Sequence, residues 1–342
     1  MLSILVQHFK RFKIDADLEL LKTIIPVVIS LLLFSAIAVM WVEPEQQFSS
    51  FSDAIWWTFV TATTVGYGDT YPITLGGRII AIILMMIGIG SFGVITAKFA
   101  DLFIDLKKRK ELGELPANYE DHLVICGWCN KTKEIIHQTL NEDLKEKTGD
   151  KEHIVLVANI EKDPFPDNNS IHFIKGEIDK EEVLKKANIM NAKTAIVLNE
   201  DNDDRTTVLS ALTIENLNPA VYTITEVSNK ENKVHLENAN VDEIVLNEQI
   251  NSQLLIRSDF HAGTSEMISE LLSNDYGNQI YMSEVNTSDV GEKFINVVNK
   301  YKEKSDIIII AIKDGKEVIT NPDSERIIKQ NDKLVYLGIK RI

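Results

Sequence analysis

TATTVGYGDTYP, residues 61–72, lies between two uncharged runs and holds two glycines, a tyrosine and an acid, but no nucleophile paired with a base. The flanking runs are residues 23–42 (TIIPVVISLLLFSAIAVMWV) and 79–97 (IIAIILMMIGIGSFGVITA), 20 and 19 residues long. About 20 apolar residues carry a helix across the hydrocarbon core of a bilayer. Lys10, Arg11, Lys13 and Lys22 precede the first run, Lys107, Lys108, Arg109 and Lys110 follow the second, and no Lys or Arg stands between residues 43 and 77. The positive-inside rule then predicts a multi-pass plasma-membrane protein with both termini in the cytoplasm. Its opening is too long and too polar for a signal peptide.

Between the spans, residues 52–63 (SDAIWWTFVTAT) read as an amphipathic helix capped by Ser52 or Asp53. The uncharged stretch 54–68 is too short to cross and return, so it dips into the membrane as a re-entrant segment. Irregular backbone at membrane depth persists only where it is buried in protein or lines a water-filled path. Residues 64–68 are therefore expected to line a path.

TVGYGD, preceded by WW and a helix-like run, resembles the selectivity filter of potassium channels. The resemblance implies a homotetramer in which the main-chain oxygens of Thr64, Val65, Gly66 and Tyr67, with the Thr64 hydroxyl, replace the water around K⁺. Gly66 and Gly68 permit the positive φ that lets successive carbonyls aim one way. Val65 and Tyr67 then pack outward as a cuff against Trp57. Some relatives place a Glu where Val60 stands, so Asp69 is left with Trp56 as its donor. Three glycines in the second span, Gly88, Gly90 and Gly93, each cost a helix about 1 kcal/mol relative to Ala. Close packing explains them; by resemblance to ligand-gated two-span channels, so does a gating hinge at Gly88. Asp101 and Asp105, one turn apart, read either as acidic rings at the inner mouth or as solvated charges.

Beyond residue 116 short apolar strands (HLVICG, HIVLVAN, IHFIKGE, TAIVLNE, AVYTITEV, DEIVLNE) alternate with helical segments. That alternation predicts a parallel sheet covered on both faces, a doubly wound Rossmann-like domain. A pore followed by such a domain resembles the potassium channels carrying an RCK (regulator of K⁺ conductance) domain of TrkA-N and TrkA-C type. HLVICGW (122–128), FIKGEIDKEEVLKKANI (173–189) and ENANVDEIV (237–245) carry the resemblance. The expected fold is a membrane α-helical two-span pore domain plus an α/β RCK domain with a small α+β C-terminal subdomain. Its parts are a cytoplasmic segment 1–22, the pore domain 23–103, a linker 104–118, the Rossmann-like domain 119–248, connecting helices 249–278 that pair domains into a gating ring, and the subdomain 279–342. A formal charge of −15, concentrated beyond residue 103, argues against nucleic acid as a partner. Two cysteines, Cys126 and Cys129, offer no disulfide framework.

Two ligand sites are expected in the soluble half. The first strand–helix turn, CGWCNKT, lacks GxGxxG, but Gly127 stands where the tight turn needs it. A nucleotide (ADP, ATP or NAD) there would meet Gly127, Trp128, Asn130 and Thr132, with Asn159 ending the second strand; an empty structural crevice is the competing reading. A divalent cation such as Ca²⁺, used by relatives, wants several oxygens. Glu226 matches one family position, whereas Leu198 and Ser228 at the others are not anionic. Asp201, Asp203 and Asp204 supply oxygens nearby or, alternatively, cap the following helix. The CGWC pair reads as a redox couple or as a buried strand thiol beside a turn thiol. By resemblance the function is a K⁺-selective channel, not an enzyme, gated by ligand binding to RCK domains. The alternative is a membrane-tethered nucleotide-binding regulator of K⁺ uptake or an NAD-dependent enzyme.

Overall fold

The computed structural model describes residues 2–146, 153–315 and 317–341. The side chains of residues 2–21 and 142–146 lie outside the described residues, and with them the basic residues Lys10, Arg11 and Lys13. The chain divides into two compact units, 1–109 and 110–342.

The first unit is built on helices α1 (Leu2–Val42), α2 (Phe51–Ala62) and α3 (Leu75–Glu111). Residues Lys22–Val42 of α1 and a window of α3 are long and apolar enough to cross a membrane. Their outward faces are apolar, with Phe34, Trp41, Ile82 and Met86 exposed, as helices meeting lipid or other copies require. The buried centre consists largely of small residues, Ala36, Ala54, Ala62 and Ala81, around Trp57 and Leu84, so the three helices approach closely. Ser50, not Ser52 or Asp53, caps α2: its side chain accepts from the N–H of Asp53 at 3.1 Å. Asp53 sits three residues inside the cap and takes the Ser49 hydroxyl at 2.8 Å. Helix α3 runs beyond the expected span end near residue 103, because residues 103–111 (FIDLKKRKE) contain no glycine or proline. Lys107, Lys108, Arg109 and Lys110 favour its negative C-terminal end, and Gly113, at φ 64°, lies just beyond it.

The second unit opens with β1 (His122–Cys126), α4 (Asn130–Glu146), β2 (Ile154–Ala158) and β3 (Ile171–Lys175). It continues with α5 (Glu181–Lys186), β4 (Ala192–Val197), α6 (Asp204–Leu217), β5 (Tyr222–Val227), α7 (Lys233–Asn238) and β6 (Glu243–Leu246). All six strands are parallel, in the order β3-β2-β1-β4-β5-β6. β1 and β2 are buried along their whole length, which is why they read as continuous apolar runs. The order reverses between β1 and β4, and such a switch point opens a crevice at the carboxyl ends of the strands. Helices α8 (Asn247–Phe260) and α9 (Thr264–Leu272) lead to β7 (Gln279–Glu284), α10 (Phe294–Ser305), β8 (Ile308–Asp314), β9 (Glu317–Thr320) and β10 (Asp332–Gly338). These last strands form a separate antiparallel sheet, β7-β10-β8-β9. Phe294, Val297, Ile309, Leu334 and Tyr336 fill its core.

Candidate functional site

The segment after α2 has no regular structure, and its backbone alternates. Thr64, Gly66 and Gly68 have φ of 62°, 57° and 76°, whereas Val65 and Tyr67 between them do not enter that region. Glycine adopts such angles freely; Thr64 is β-branched, and the cost there is about 1–3 kcal/mol. Sequence reasoning assigned the left-handed angle to the two glycines alone. The end of α2 holds the segment in place, since the Val60 carbonyl accepts the N–H groups of Val65 at 3.0 Å and Gly66 at 3.3 Å. Donors that would otherwise compete for a cation's neighbours are thereby turned back onto the helix.

Trp56 Nε1 donates to Asp69 Oδ2 at 2.9 Å, and its ring stacks on Tyr67 with centroids 5.8 Å apart and planes 7° from parallel. Trp57 does not form the expected cuff with Tyr67 within the chain. It is buried and meets Phe48 edge-on at 5.5 Å, because neighbours on a helix point about 100° apart. Val65 and Tyr67 are exposed on the chain's surface.

A carboxylate that the sequence reading passed over braces the other end of the segment. Glu43, buried just beyond α1, accepts from the N–H of Ile73 at 3.1 Å, the N–H of Thr74 at 3.0 Å and the Thr74 hydroxyl at 2.6 Å. Thr74 Oγ1 in turn accepts the N–H of Gly77 at 3.0 Å, so the pair caps α3. A β-carbon on Gly77 would stand 1.9 Å from Glu43 Oε1. The signal was legible: the first acid after a span, with a Thr-Leu-Gly-Gly helix start about thirty residues on. Gly88 has a packing reason, since a β-carbon there would lie 3.0 Å from Ala62 Cβ, whereas Gly90 and Gly93 face open space. Asp101 and Asp105 are exposed, and Asp101 pairs with Lys98 at 3.6 Å.

At the switch point of the parallel sheet, Gly127 takes φ 115°, and a β-carbon would press on Leu198 Cβ at 3.2 Å. The two following N–H groups are already satisfied within the chain. Trp128 N–H donates to the Glu200 carboxylate, and Cys129 N–H donates to Thr132 Oγ1 at 2.9 Å. Thr132 is fully buried, while Asn130 and Asn159 are exposed. Glu200, a residue not singled out from the sequence, thus already occupies one of the N–H donors that a phosphate was expected to meet.

The four acids expected around a cation are not gathered. Asp204 is buried and saturated by Ser228 N–H (2.9 Å), Asn229 N–H (2.8 Å), Asn199 Nδ2 (2.6 Å) and Asn232 Nδ2 (2.7 Å). Glu226 is ion-paired with Lys131, Asp203 takes the Thr206 hydroxyl at 2.6 Å, and Asp201 is exposed. Among the described residues no three or more His, Cys, Asp or Glu side chains are placed to hold a metal ion. Asp203, Asp204 and Glu226 have found hydroxyl, amide or ammonium partners instead. Cys126 is fully buried, which together with the Glu200 charge pushes its thiol up to about 12, so it is no thiolate donor at neutral pH.

Three family profiles match: "Ion channel" over residues 27–105, "TrkA-N domain" over 123–247, and "Castor and Pollux, part of voltage-gated ion channel" over 248–341. The chain is 28% identical over 300 residues to the calcium-gated potassium channel TvoK of Thermoplasma volcanium, covering 85% of this chain and 83% of that one. It is 30% identical over 254 residues to YugO of Bacillus subtilis, a protein named for a potassium channel, covering 72% and 69%. In fold it is similar to the human SLO3 gating ring, with a TM-score of 0.50 at 16% identity, over 64% of this chain and 44% of that one.

Proposed function

The chain belongs to the potassium channels that carry RCK domains, and from that premise we propose that four copies close around one axis and pass K⁺ between their 64–68 segments. The alternating backbone at Thr64, Gly66 and Gly68 carries this reading. With the Val65 and Gly66 N–H groups engaged by Val60, the carbonyl oxygens of Thr64, Val65, Gly66 and Tyr67 are left to replace the ion's hydration shell. Trp56, Asp69 and Glu43 hold the two ends of the segment at fixed positions. Both termini lie in the cytoplasm of a plasma-membrane protein, with Asp101 and Asp105 concentrating cations at the inner mouth.

Gating follows from how the end of α3 joins the parallel sheet. Glu111 O accepts from Asp163 N–H at 2.7 Å, Gly113 O from Lys175 N–H at 3.0 Å, and Leu115 O meets His172 Nε2 at 2.9 Å. Ala117 N–H then donates to Lys186 O at 2.8 Å, and Tyr119 O accepts Asn188 Nδ2 at 2.7 Å. A movement of paired RCK domains is thereby delivered to the last turn of α3, which splays about Gly88. A ligand shifts this equilibrium only by its differential affinity for the two arrangements. The switch-point crevice suits a nucleotide (ADP, ATP or NAD), whose phosphate would displace Glu200 from Trp128 N–H. TvoK is named for calcium; here calcium at Glu226 would have to displace the Lys131 ammonium.

Flux from proteoliposomes tests the reading. Purified full-length protein is expected to release K⁺ but not Na⁺, with block by Ba²⁺. Turnover of a nicotinamide cofactor without K⁺ flux would favour the enzyme instead.

A further inference from the structure

Three imidazoles surround Tyr119, on the segment that joins α3 to the parallel sheet. His122 opens β1, His153 stands just before β2, and His172 is the second residue of β3. The Tyr119 ring stacks on His153 with centroids 4.2 Å apart, meets His172 edge-on at 5.9 Å, and lies 6.3 Å from His122. His172 Nε2 holds the Leu115 carbonyl at 2.9 Å, and His122 Nε2 holds the Ala187 carbonyl at 3.0 Å. A carbonyl only accepts, so each Nε2 carries the proton and a neutral ring leaves Nδ1 bare. Nδ1 of His122 and Nδ1 of His153 are both buried without a hydrogen-bond partner.

We infer that His122, packed with His153 and His172 around Tyr119, is a proton-operated latch, which helps dock the 111–119 segment on the sheet while its imidazole is neutral and releases it when that ring takes up a proton from water. The inference rests on the reading above that this segment transmits gating. A proton on the bare Nδ1 of His122 would place a charged donor in a buried site without an acceptor. Two adjacent imidazolium rings would also repel each other across Tyr119.

Charged groups around the latch do not neutralise it. Burial, aided by the neighbouring His153, holds His122 below its usual 6.5, outweighing the Ala187 carbonyl bond and the Asp121 charge, which both favour its protonated form. Lys110, Glu111 and His172 face Asp163, whose carboxyl burial pushes above its usual 3.8. Glu114, Glu120, Lys175 and Lys186 border the segment, the two lysines holding it through main-chain bonds. A base with a depressed value in the docked state binds fewer protons there than when released. Docking therefore has its full strength above 6.5 and weakens as pH falls below that value. Asp163 acts in the opposite sense in stronger acid, since its docked form holds a proton more readily.

Planar-bilayer recording of the full-length protein tests this, with the RCK side stepped from about pH 7.5 to about pH 5.8, spanning the ordinary imidazole range. Open probability is expected to change several-fold, with a midpoint below 6.5. The double variant H122Q/H153Q, in which Gln can still donate to the Ala187 carbonyl, should lose most of that response. No response in the unaltered protein, or an equal response in the double variant, overturns the latch. Should the double variant fail to assemble, hydrogen exchange of the unaltered protein decides. After correction for intrinsic rates, residues 110–121 should lose protection in acid while residues 204–217 of α6 keep theirs; equal protection at both pH values overturns the proposal. Absence of K⁺ current at any pH would count against the channel reading, and exchange would still judge the latch.

Discussion

Just beyond the Val42 end of α1, replacing Glu43 by Ala would leave the main-chain N–H groups of Ile73 and Thr74 without their acceptor. Unmet buried donors cost about 1–3 kcal/mol each. Glu43→Ala should therefore lower the heat stability of the detergent-solubilised assembly and speed the decay of K⁺ current during sustained opening. Glu43→Gln, which keeps an acceptor oxygen, should lie between. Trp56 offers a finer probe, because it makes two contacts of different kind. Trp56→Phe keeps an aromatic face for Tyr67 but removes the indole donor to Asp69. Faster current decay with unchanged K⁺ selectivity is the expected outcome in voltage-clamped bilayers. Selectivity itself should depend on Thr64, whose left-handed backbone no glycine relieves.

Among the elements, α3 and the switch-point turns carry the sharpest expectations. Gly88→Ala forces Ala62 at the end of α2 to move by a few tenths of an ångström, whereas Gly90→Ala meets open space and removes the roughly 1 kcal/mol helix penalty of glycine. Thermal melts should fall for the first and hold or rise for the second; a Gly88→Ala that changes open probability but not melting favours the hinge over packing. Glu200→Gln, with a weaker acceptor on Trp128 N–H, should raise nucleotide affinity in calorimetry on the full-length protein. Asp204 tests the sheet's own stability. Burial works against its ionisation, but the N–H groups of Ser228 and Asn229 and the amides of Asn232 and Asn199 outweigh it and hold the carboxyl below 3.8. A depressed carboxylate contributes stability that is complete above that value and lost as pH falls below it, so Asp204→Asn should flatten the acid limb of the melting curve as well as lower it. The six parallel strands were legible because burial on both faces leaves continuous apolar runs such as HLVIC and IVLVA. Partner choice was not. Nothing in the spacing of Asp201, Asp203, Asp204 and Glu226 says that Lys131 and four amide donors would claim two of them. Nor does Trp56 beside Trp57 reveal which indole meets Tyr67 until the α2 phase is set by its Ser50 cap.

For the whole molecule, most of the acidic excess lies beyond residue 103, which the proposed topology puts on the side of the membrane where basic residues frame the spans. Cations arriving at the inner mouth from that side would meet a favourable field, which salt screens beyond about 10 Å at 0.1 M. Conductance for inward-facing K⁺ should accordingly be larger at low ionic strength, and Asp101→Asn with Asp105→Asn should reduce that difference in single-channel recordings. The whole account depends on main-chain oxygens of a segment with left-handed backbone at every second residue standing in for water around one ion. Its most direct measurement is the reversal potential of the purified full-length protein in a planar bilayer with K⁺ on one side and Na⁺ on the other. A reversal displaced strongly in the direction that K⁺ selectivity dictates is predicted; a reversal near zero, with Na⁺ carrying current as readily as K⁺, would contradict it.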